Sequence, residues 1–279
     1  MLTYPYIDPV VISIGPLDVH WYGMMYLIGF VGGWWLGVIR TKQPHSNWKS
    51  GDMGDLMFYI AVGVVFGGRI GYMLFYNPFL PEGQAAAFYE IWKGGMSFHG
   101  GFLGVLIAMW LYGRKTQRTF FEITDFIAPL VTIGLGAGRI GNYINGELWG
   151  KVTDLPWGMQ LPCIRYPQFC DSETQIFTEP RHPSQLYEFA LEGVLLLAVL
   201  WIFSRKPRPI MATSGLFMIC YGAFRFLVEF VRLPDAELGY LAFNWVTMGQ
   251  LLSFPMIIIG VWMMWYAYKR NRYPAHPGD

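Results

Sequence analysis

Seven stretches of the chain are apolar over roughly the 20 residues that a helix needs to cross a bilayer, and short polar segments separate them. This pattern predicts an all-α polytopic membrane protein with about seven transmembrane helices. The third stretch is short and glycine-rich, and residues 77–95 before it offer an alternative, a segment that dips into the membrane without crossing it. The stretches fall near residues 20–39, 55–76, 98–113, 123–144, 186–204, 212–232 and 245–268.

Lysines and arginines are unevenly distributed between the loops on the two sides. Loops rich in these residues stay in the cytoplasm, which puts the N-terminus outside and the C-terminus in the cytoplasm. We expect a single integral membrane domain, residues 1–279, within which residues 145–185 form a small head region on the outer side. The rich side holds Arg40, Lys42, Lys49, Arg114, Lys115, Arg118, Arg205, Lys206, Arg208, Lys269, Arg270 and Arg272, and the other side only Lys93, Lys151, Arg165 and Arg181.

Composition agrees with a membrane protein, since 54% of the residues are hydrophobic and only 14% are charged, against about 25% in soluble domains. A net charge of +1 argues against a nucleic-acid partner. Neither HExxH nor CxxC occurs, so we expect no metal and no cofactor. Cys163 and Cys170 fall in the head, where disulfides persist, and a bridge between them is a hypothesis.

Arginines inside apolar stretches are the main chemical signal. Arg69 and Arg139 each lie in a GRIG sequence, and Arg225 lies in the sixth stretch. A charge at the bilayer centre costs at least roughly 2.5 to 3.5 kcal/mol, so it is normally matched to an anion or a polar cavity. Guanidinium suits phosphate through paired hydrogen bonds, and the sequence therefore predicts a lipid phosphate. The alternative is permanent pairing, of Arg139 with Glu147 or Asp125, and of Arg225 with Glu229.

Other polar residues converge at the outer ends of the same stretches. His99 stands between glycine pairs at the start of the third stretch, while Asn142, Asn145 and Glu147 end the fourth. Arg225, Glu229 and Arg232 follow i, i+4, i+7 spacing, which predicts one stripe on a helix. Gly63, Gly67 and Gly71, and again Gly134 and Gly138, have the small-xxx-small spacing that favours close helix packing.

Four longer motifs carry a resemblance to a known family. GGMSFHGG at 94–101, GRIGNYINGELWG at 138–150, HPSQLYE at 182–188 and FRFLVEFVR at 224–232 resemble signature segments of bacterial prolipoprotein diacylglyceryl transferase, and HWYGMMYLIGF at 20–30 resembles the family's first span. The resemblance implies an enzyme of the bacterial inner membrane with its head in the periplasm. It would move the diacylglyceryl group of phosphatidylglycerol onto the lipobox cysteine of prelipoprotein signal peptides, forming a thioether and releasing glycerol phosphate.

The resemblance also implies which positions matter. His99, Arg139 and Arg225 are the predicted catalytic residues. Glu147 is a better candidate for orienting an arginine than for a general base. His182 and Glu188 either organise the loop or position the peptide, and the structural role is favoured. The predicted lipid- and substrate-binding residues are Tyr22, Arg69, Asn142, Asn145, Glu147, Gly150, Tyr221, Glu229 and Arg232.

The chemistry of thioether formation fits these assignments. A thiol with a pKa of about 8.5 is mostly protonated at neutral pH, and His99 is the natural base for it. Arg139 and Arg225 would stabilise the negative charge that develops on the departing phosphate. Each assignment has its own alternative. His99 could cap the glycine turn, and Tyr22 and Tyr221 could be ordinary interface tyrosines. Ser97 could be the nucleophile of a hydrolase, although no GxSxG elbow accompanies it.

Two other classes of membrane protein share some of these features. Intramembrane arginines and glycine-rich crossings also occur in lipid or anion transporters, and an intramembrane hydrolase would cut phospholipid with water. A lipobox peptide separates the three, because only the transferase needs it.

Overall fold

The computed structural model describes residues 2–15, 17–76, 88–90, 95–172, 174–234 and 238–274. Most of the predicted membrane dip, with Lys93 and Gly94, lies outside these residues. Apart from one short 3-10 turn, seven helices lie along the described part of the chain. They are α1 (Trp21–Thr41), α2 (Ser50–Phe75), α3 (Phe98–Thr116), α4 (Phe120–Asn145), α5 (Ser184–Phe203), α6 (Ala212–Val228) and α7 (Met248–Arg270).

The predicted number of helices is confirmed, and their lengths differ. Helices α1, α2, α4, α5 and α7 are long and apolar enough to cross a membrane, and α6 is apolar but shorter. Helix α3 does not reach the same apolar length, because its first turn contains His99 and two glycines and its last turn contains Arg114 and Lys115.

The sixth helix ends earlier than the sequence predicts. It stops at Val228, where the chain tightens into a turn in which the Val231 amide donates to the Val228 carbonyl at 3.0 Å. Arg232 then pairs with Gly150 in an isolated β-bridge, and the Lys151 amide donates to the Val231 carbonyl at 2.8 Å. Arg232 therefore lies beyond the regular helix, but the side chains of the predicted i, i+4, i+7 stripe still meet, since Glu229 pairs with both Arg225 and Arg232.

The chain divides into two compact units, one made of residues up to Gly33 with Ala128–Arg272 and the other built on Trp34–Ile127. In the second unit, α2 and α3 pack through facing glycines. A Cβ on Gly63 would lie 2.5 Å from the Gly104 carbonyl oxygen, and one on Gly71 would lie 2.7 Å from the Gly100 Cα. The small-xxx-small spacing in α2 thus has the packing role predicted for it.

In the first unit, α5 contains a π-helical stretch, Phe189–Leu195, flanked by α-helical turns. Gly193 in this stretch packs on Gly136 of α4, where an added Cβ would lie 2.8 Å from the Gly136 Cα. The two backbones therefore approach closely at the residue next to Glu192 and about one turn from Arg139. Leu196 and Leu200 continue α5 into an apolar cluster with Ala128.

Residues between α4 and α5, which make up most of the predicted head region, form short strands and turns, and we call them the head segment. Strand β1 (Leu2–Thr3) pairs in parallel with a strand at Met159–Gln160, and a hairpin at Val10–Ile14 and Leu17–His20 leads into α1. Tyr4 packs with Trp149 and Leu161, and its hydroxyl donates to the Tyr143 carbonyl at 2.7 Å. Burial raises the pKa of the Tyr4 phenol, so this anchor stays protonated.

The bridge predicted between Cys163 and Cys170 is formed, with their Cα atoms 6.0 Å apart. A bond that closes so short a loop contributes about 2 kcal/mol through the entropy of the unfolded chain. Replacing both cysteines with serine is expected to speed proteolysis of the head segment several-fold. Limited proteolysis followed by mass spectrometry checks this, with Cys220→Ser as the control because Cys220 is unbridged. Equal cleavage rates for the two variants would contradict the expectation.

Candidate active site

The first unit contains a buried cluster of alternating arginines and glutamates, contributed by α4, α5, α6 and the turn after α6. Apart from the charged groups, these helices present mainly apolar side chains, and α4 and α5 are long enough to cross a membrane, so the cluster is a polar site among apolar helices. Its members are Arg139, Glu188, Glu192, Arg225, Glu229 and Arg232.

Arg139 is held by the two glutamates of α5. Its Nε and Nη2 donate to Glu192 Oε2 at 3.1 and 3.0 Å, and its Nη1 lies 3.2 Å from Glu188 Oε2. Both glutamate side chains are fully buried. Arg139 is thus ion-paired within the chain, with partners other than the Glu147 and Asp125 considered from the sequence.

Arg225 shares one of these glutamates. Its Nη1 pairs with Glu188 Oε1 in a short contact, and its Nη2 lies 2.6 Å from Glu229 Oε1, four residues along the chain. The i, i+4 pairing that was the alternative for Arg225 is therefore present. Glu188 connects Arg139 to Arg225, so one buried carboxylate fixes both guanidinium groups.

Glu229 closes the other end of the cluster. Its Oε1 also accepts from Arg232 Nη1 at 2.9 Å, and its Oε2 accepts from the Thr247 hydroxyl at 2.5 Å. Three arginines and three glutamates give formal charges that cancel. The cluster can therefore stay buried without a net charge.

Exposure within the cluster is asymmetric. The Arg139 and Arg225 side chains are 18% and 15% exposed, whereas the Glu188 side chain is 0% exposed. The accessible part of the cluster is thus contributed by arginine side chains and not by Glu188 or Glu192, and we call it the cationic edge. Each guanidinium carries five N–H donors, and the ion pairs of Arg139 and Arg225 use only some of them.

The polar residues at the end of α4 form a separate hydrogen-bonded group. Asn142 and Asn145 each donate through Nδ2 to Glu147 Oε1, at 3.1 and 3.2 Å. The Glu147 backbone carbonyl accepts a short hydrogen bond from Gln185 Nε2, and Ser184 Oγ donates to the Leu148 carbonyl at 2.6 Å. Glu147 therefore orients two asparagines where the sequence suggested an arginine, and the start of α5 fixes the turn that carries it.

Gly150 lies where the head segment meets the turn after α6. Its amide donates to the His182 carbonyl at 2.9 Å, and a Cβ would lie 2.6 Å from the Val231 carbonyl oxygen. His182 Nδ1 lies 3.1 Å from the Tyr187 hydroxyl. Burial, and secondarily the charge of Lys151, lower the pKa of His182. These contacts agree with the loop-organising role expected for His182.

The two predicted tyrosines have packing contacts in the first unit. The Tyr22 ring lies against Gly141 of α4, where an added Cβ would be 2.9 Å from Tyr22 Cδ2. Tyr221 stacks on Phe217 with ring centroids 5.6 Å apart and lies within electrostatic range of Arg139 and Arg225. Tyr221 is thus beside the charged cluster.

Arg69 belongs to the second unit, and its guanidinium group donates hydrogen bonds to backbone carbonyls. The residue is 1% exposed, and it donates to the carbonyls of Phe88 at 2.9 Å, Gly95 at 3.1 Å and Glu90 at 3.2 Å. Backbone carbonyls therefore surround the guanidinium that was expected to bind a lipid phosphate. The two GRIG arginines differ in their described hydrogen bonds, since Arg69 donates to backbone carbonyls and Arg139 to a carboxylate.

His99 also lies in the second unit, exposed on the first turn of α3. Ser97 caps this helix, since its Oγ accepts from the Gly100 amide at 3.2 Å. The capping role considered for His99 therefore belongs to Ser97. Ser97 is 4% exposed and engaged in the cap, which disfavours the nucleophile alternative.

Sequence reasoning missed part of the cluster. Glu192 and Thr247 were not identified, and Glu188 was expected to organise a loop or position the peptide. The available signal was the pair of glutamates four residues apart in the otherwise apolar LYEFALEGVLLL segment, because buried carboxylates need cationic partners as much as buried arginines need anions.

Comparisons with known proteins match nearly the whole chain. A family model described as prolipoprotein diacylglyceryl transferase matches residues 9–266. Relatives named phosphatidylglycerol–prolipoprotein diacylglyceryl transferase include one from Azotobacter vinelandii, 58% identical over 276 residues that cover 99% of this chain and 100% of the relative. Another, from Pseudomonas fluorescens Pf-5, is 57% identical over 97% of both chains. One from Pseudomonas aeruginosa PAO1 is 56% identical, again over 97% of both.

Proposed function

The chain belongs to the prolipoprotein diacylglyceryl transferase family, and we propose that it transfers the diacylglyceryl group of phosphatidylglycerol to the lipobox cysteine of a prelipoprotein signal peptide. A sulfur–carbon bond forms while the bond between the glyceryl carbon and the phosphate oxygen breaks. The electron pair of the broken bond leaves with glycerol phosphate. The thiol proton passes to a base and then to solvent or to the phosphate. The observation that carries this proposal is the cationic edge of the buried cluster.

Arg139 and Arg225 are the proposed phosphate ligands. Their partly exposed guanidinium groups are held from behind by buried carboxylates, so their positions are fixed before the lipid arrives. Donors that are already oriented stabilise developing charge without reorganising during the reaction. Guanidinium also binds the phosphate oxygens in pairs.

The charges of the three arginines are balanced by those of the three glutamates, and this balance favours release of the product anion. Three uncompensated arginines would hold glycerol phosphate tightly after transfer. Because the glutamates neutralise the cluster, binding depends on local geometry more than on net charge, and the product anion can leave. The cluster thus supports turnover as well as binding.

His99 is the proposed base for the thiol. It is exposed at the start of α3, and imidazole is the side-chain group that most often accepts a proton in catalysis. The further proposed substrate-binding residues are Tyr22, Asn142, Asn145, Glu147, Gly150, Tyr221, Glu229 and Arg232. The hydrogen bonds that Arg69 donates to backbone carbonyls favour a different role for it, which is to stabilise the backbone before α3.

The chain is a membrane protein, and we place it in the bacterial inner membrane with its N-terminus in the periplasm and its C-terminus in the cytoplasm. The distribution of lysines and arginines supports this orientation. The bridge between Cys163 and Cys170 also supports an oxidising compartment for the head segment.

One assay separates transfer from its alternatives. Purified protein in phosphatidylglycerol vesicles, given a lipobox peptide, is expected to add the mass of one diacylglyceryl group to the peptide and to release an equal amount of glycerol phosphate. A peptide with serine at the lipobox cysteine is the control and should stay unmodified. Diacylglycerol released without peptide would indicate a hydrolase, and lipid movement between leaflets without peptide a transporter; either result alone would contradict the proposal.

A further inference from the structure

The start of α7 is built around the carboxylate of Glu229. We propose that Thr247 and Gly249 are positioning residues for the transfer reaction, which set the place of the Arg225 guanidinium by fixing Glu229. This inference rests on the proposed function, since it takes Arg225 to bind the lipid phosphate. Neither residue is a predicted site residue, and each acts through Glu229.

Both oxygens of Glu229 are engaged in the buried site. Oε1 receives Arg225 Nη2 at 2.6 Å and Arg232 Nη1 at 2.9 Å, while Oε2 receives the Thr247 hydroxyl at 2.5 Å. Glu229 and Thr247 are each 2% exposed. The threonine hydroxyl therefore fixes the rotation of the carboxylate, and that rotation determines where Oε1 holds Arg225.

The Thr247 hydroxyl is itself held in one orientation. Thr247 is the N-cap of α7, and its Oγ1 accepts from the Gln250 amide at 3.2 Å, while its own amide donates to Gln250 Oε1 at 3.0 Å. The hydroxyl oxygen accepts in this capping box, and its one hydrogen is donated to the carboxylate of Glu229. The helix cap and the charged cluster thus share one hydroxyl group.

Gly249 provides the space for the carboxylate. A Cβ at this position would lie 2.5 Å from Glu229 Cδ, 2.7 Å from Oε1 and 2.9 Å from Oε2. Even a methyl group would therefore displace Glu229 and, through it, Arg225. The first turn of α7 also presents the positive end of the helix dipole to this anion.

A shift of Arg225 matters for the reaction because catalysis is sensitive to geometry. A displacement of about 1 Å from the productive position can cost a hundredfold in rate. The ion pair with Glu188 constrains Arg225 from one side, and Glu229 constrains it from the other. Loss of the Thr247 contact leaves the charge of Arg225 in place and loosens only its position.

Three substitutions test the inference. Thr247→Val removes the hydroxyl at nearly constant volume and is expected to lower kcat by about ten- to a hundredfold, with the KM for the lipobox peptide unchanged. Thr247→Ser restores the hydroxyl and should recover kcat to within about threefold of wild type. Gly249→Ala keeps the Thr247 hydroxyl and displaces the Glu229 carboxylate, so it should lower kcat to about the same extent as Thr247→Val.

Ser253→Ala is the matched control. Ser253 is a buried hydroxyl in the same helix, and it donates to the Gly249 carbonyl at 2.6 Å without touching Glu229. The Ser253→Ala variant should keep wild-type kcat, whatever effect the substitution has on the melting temperature. Wild-type kcat in Thr247→Val, or no recovery in Thr247→Ser, would overturn the positioning role. Failure of the wild-type protein to modify the peptide would instead overturn the proposed function.

Discussion

Replacing Arg139 with glutamine is expected to lower kcat/KM for diacylglyceryl transfer by about a thousandfold. The substitution removes a proposed phosphate ligand whose donors are oriented by Glu188 and Glu192. Loss of one oriented donor to a developing anion commonly costs about a hundred- to a thousandfold. The kcat/KM of Arg139→Lys should lie between those of the wild type and Arg139→Gln, because an ammonium group keeps the charge but not the paired hydrogen bonds. Initial rates of peptide modification measure the effect.

A fold defect has to be separated from this loss of chemistry. Arg139→Gln leaves two buried carboxylates with one cation fewer, which destabilises the protein as well. The variant with both Arg139→Gln and Glu192→Gln removes the excess negative charge, so it should recover melting temperature and remain inactive. Arg208→Gln is the control, since Arg208 contacts the Phe203 carbonyl and lies outside the cluster. Substantial activity in the doubly substituted protein would contradict the role given to Arg139.

Replacing Glu188 with glutamine is expected to give the largest loss of stability. Glu188 is fully buried and pairs with both Arg139 and Arg225, so its neutralisation leaves two cations short of a partner. Breaking a buried ion pair in this way costs about 3–5 kcal/mol in free energy of unfolding. Transfer should also fall by about a hundredfold or more, because both guanidinium groups lose their support.

Denaturant titration of the protein in detergent micelles measures the stability effect, and the peptide assay measures the rate. Glu179→Gln is a suitable control, because Glu179 is an exposed carboxylate of the head segment. A Glu188→Gln variant as stable and as active as Glu179→Gln would show that the bridge between the two arginines is unimportant.

The helices could be predicted from the sequence because long apolar stretches have few other structures available to them. The end of α6 could not, since the backbone at Arg232 leaves the helix to pair with Gly150, about 80 residues away. The π-helical stretch of α5 was also unpredictable. It lies where Gly193 meets Gly136, a contact that exists only after the helices pack.

The candidate site was predictable in part. Arg139 and Arg225 stand out because charges in apolar helices need an explanation. Their partners do not stand out, since Glu192 is separated from Arg139 by 53 residues and lies on another helix. Arg69 resembles Arg139 in sequence, yet it donates to three backbone carbonyls, which every residue possesses and which no side-chain pattern reveals.

The expectation that membrane arginines need an external anion therefore needs revision. Internal carboxylates already balance the charge of Arg139 and Arg225, and what remains for a ligand is the exposed edge of each guanidinium. The sequence singles out Arg139 and Arg225 because buried charges need a counter-ion, and the structure supplies glutamates as counter-ions for both. The glutamates behind them explain how the cations tolerate burial.

Binding of phosphatidylglycerol to the charge-balanced variant tests the central claim most directly. Native mass spectrometry of detergent-solubilised protein titrated with phosphatidylglycerol gives the dissociation constant for wild type and for the protein with both Arg139→Gln and Glu192→Gln. If the exposed guanidinium edge binds the lipid phosphate, the variant will fold normally and bind at least about tenfold more weakly. Equal affinity in the two proteins would contradict the claim and place the phosphate elsewhere.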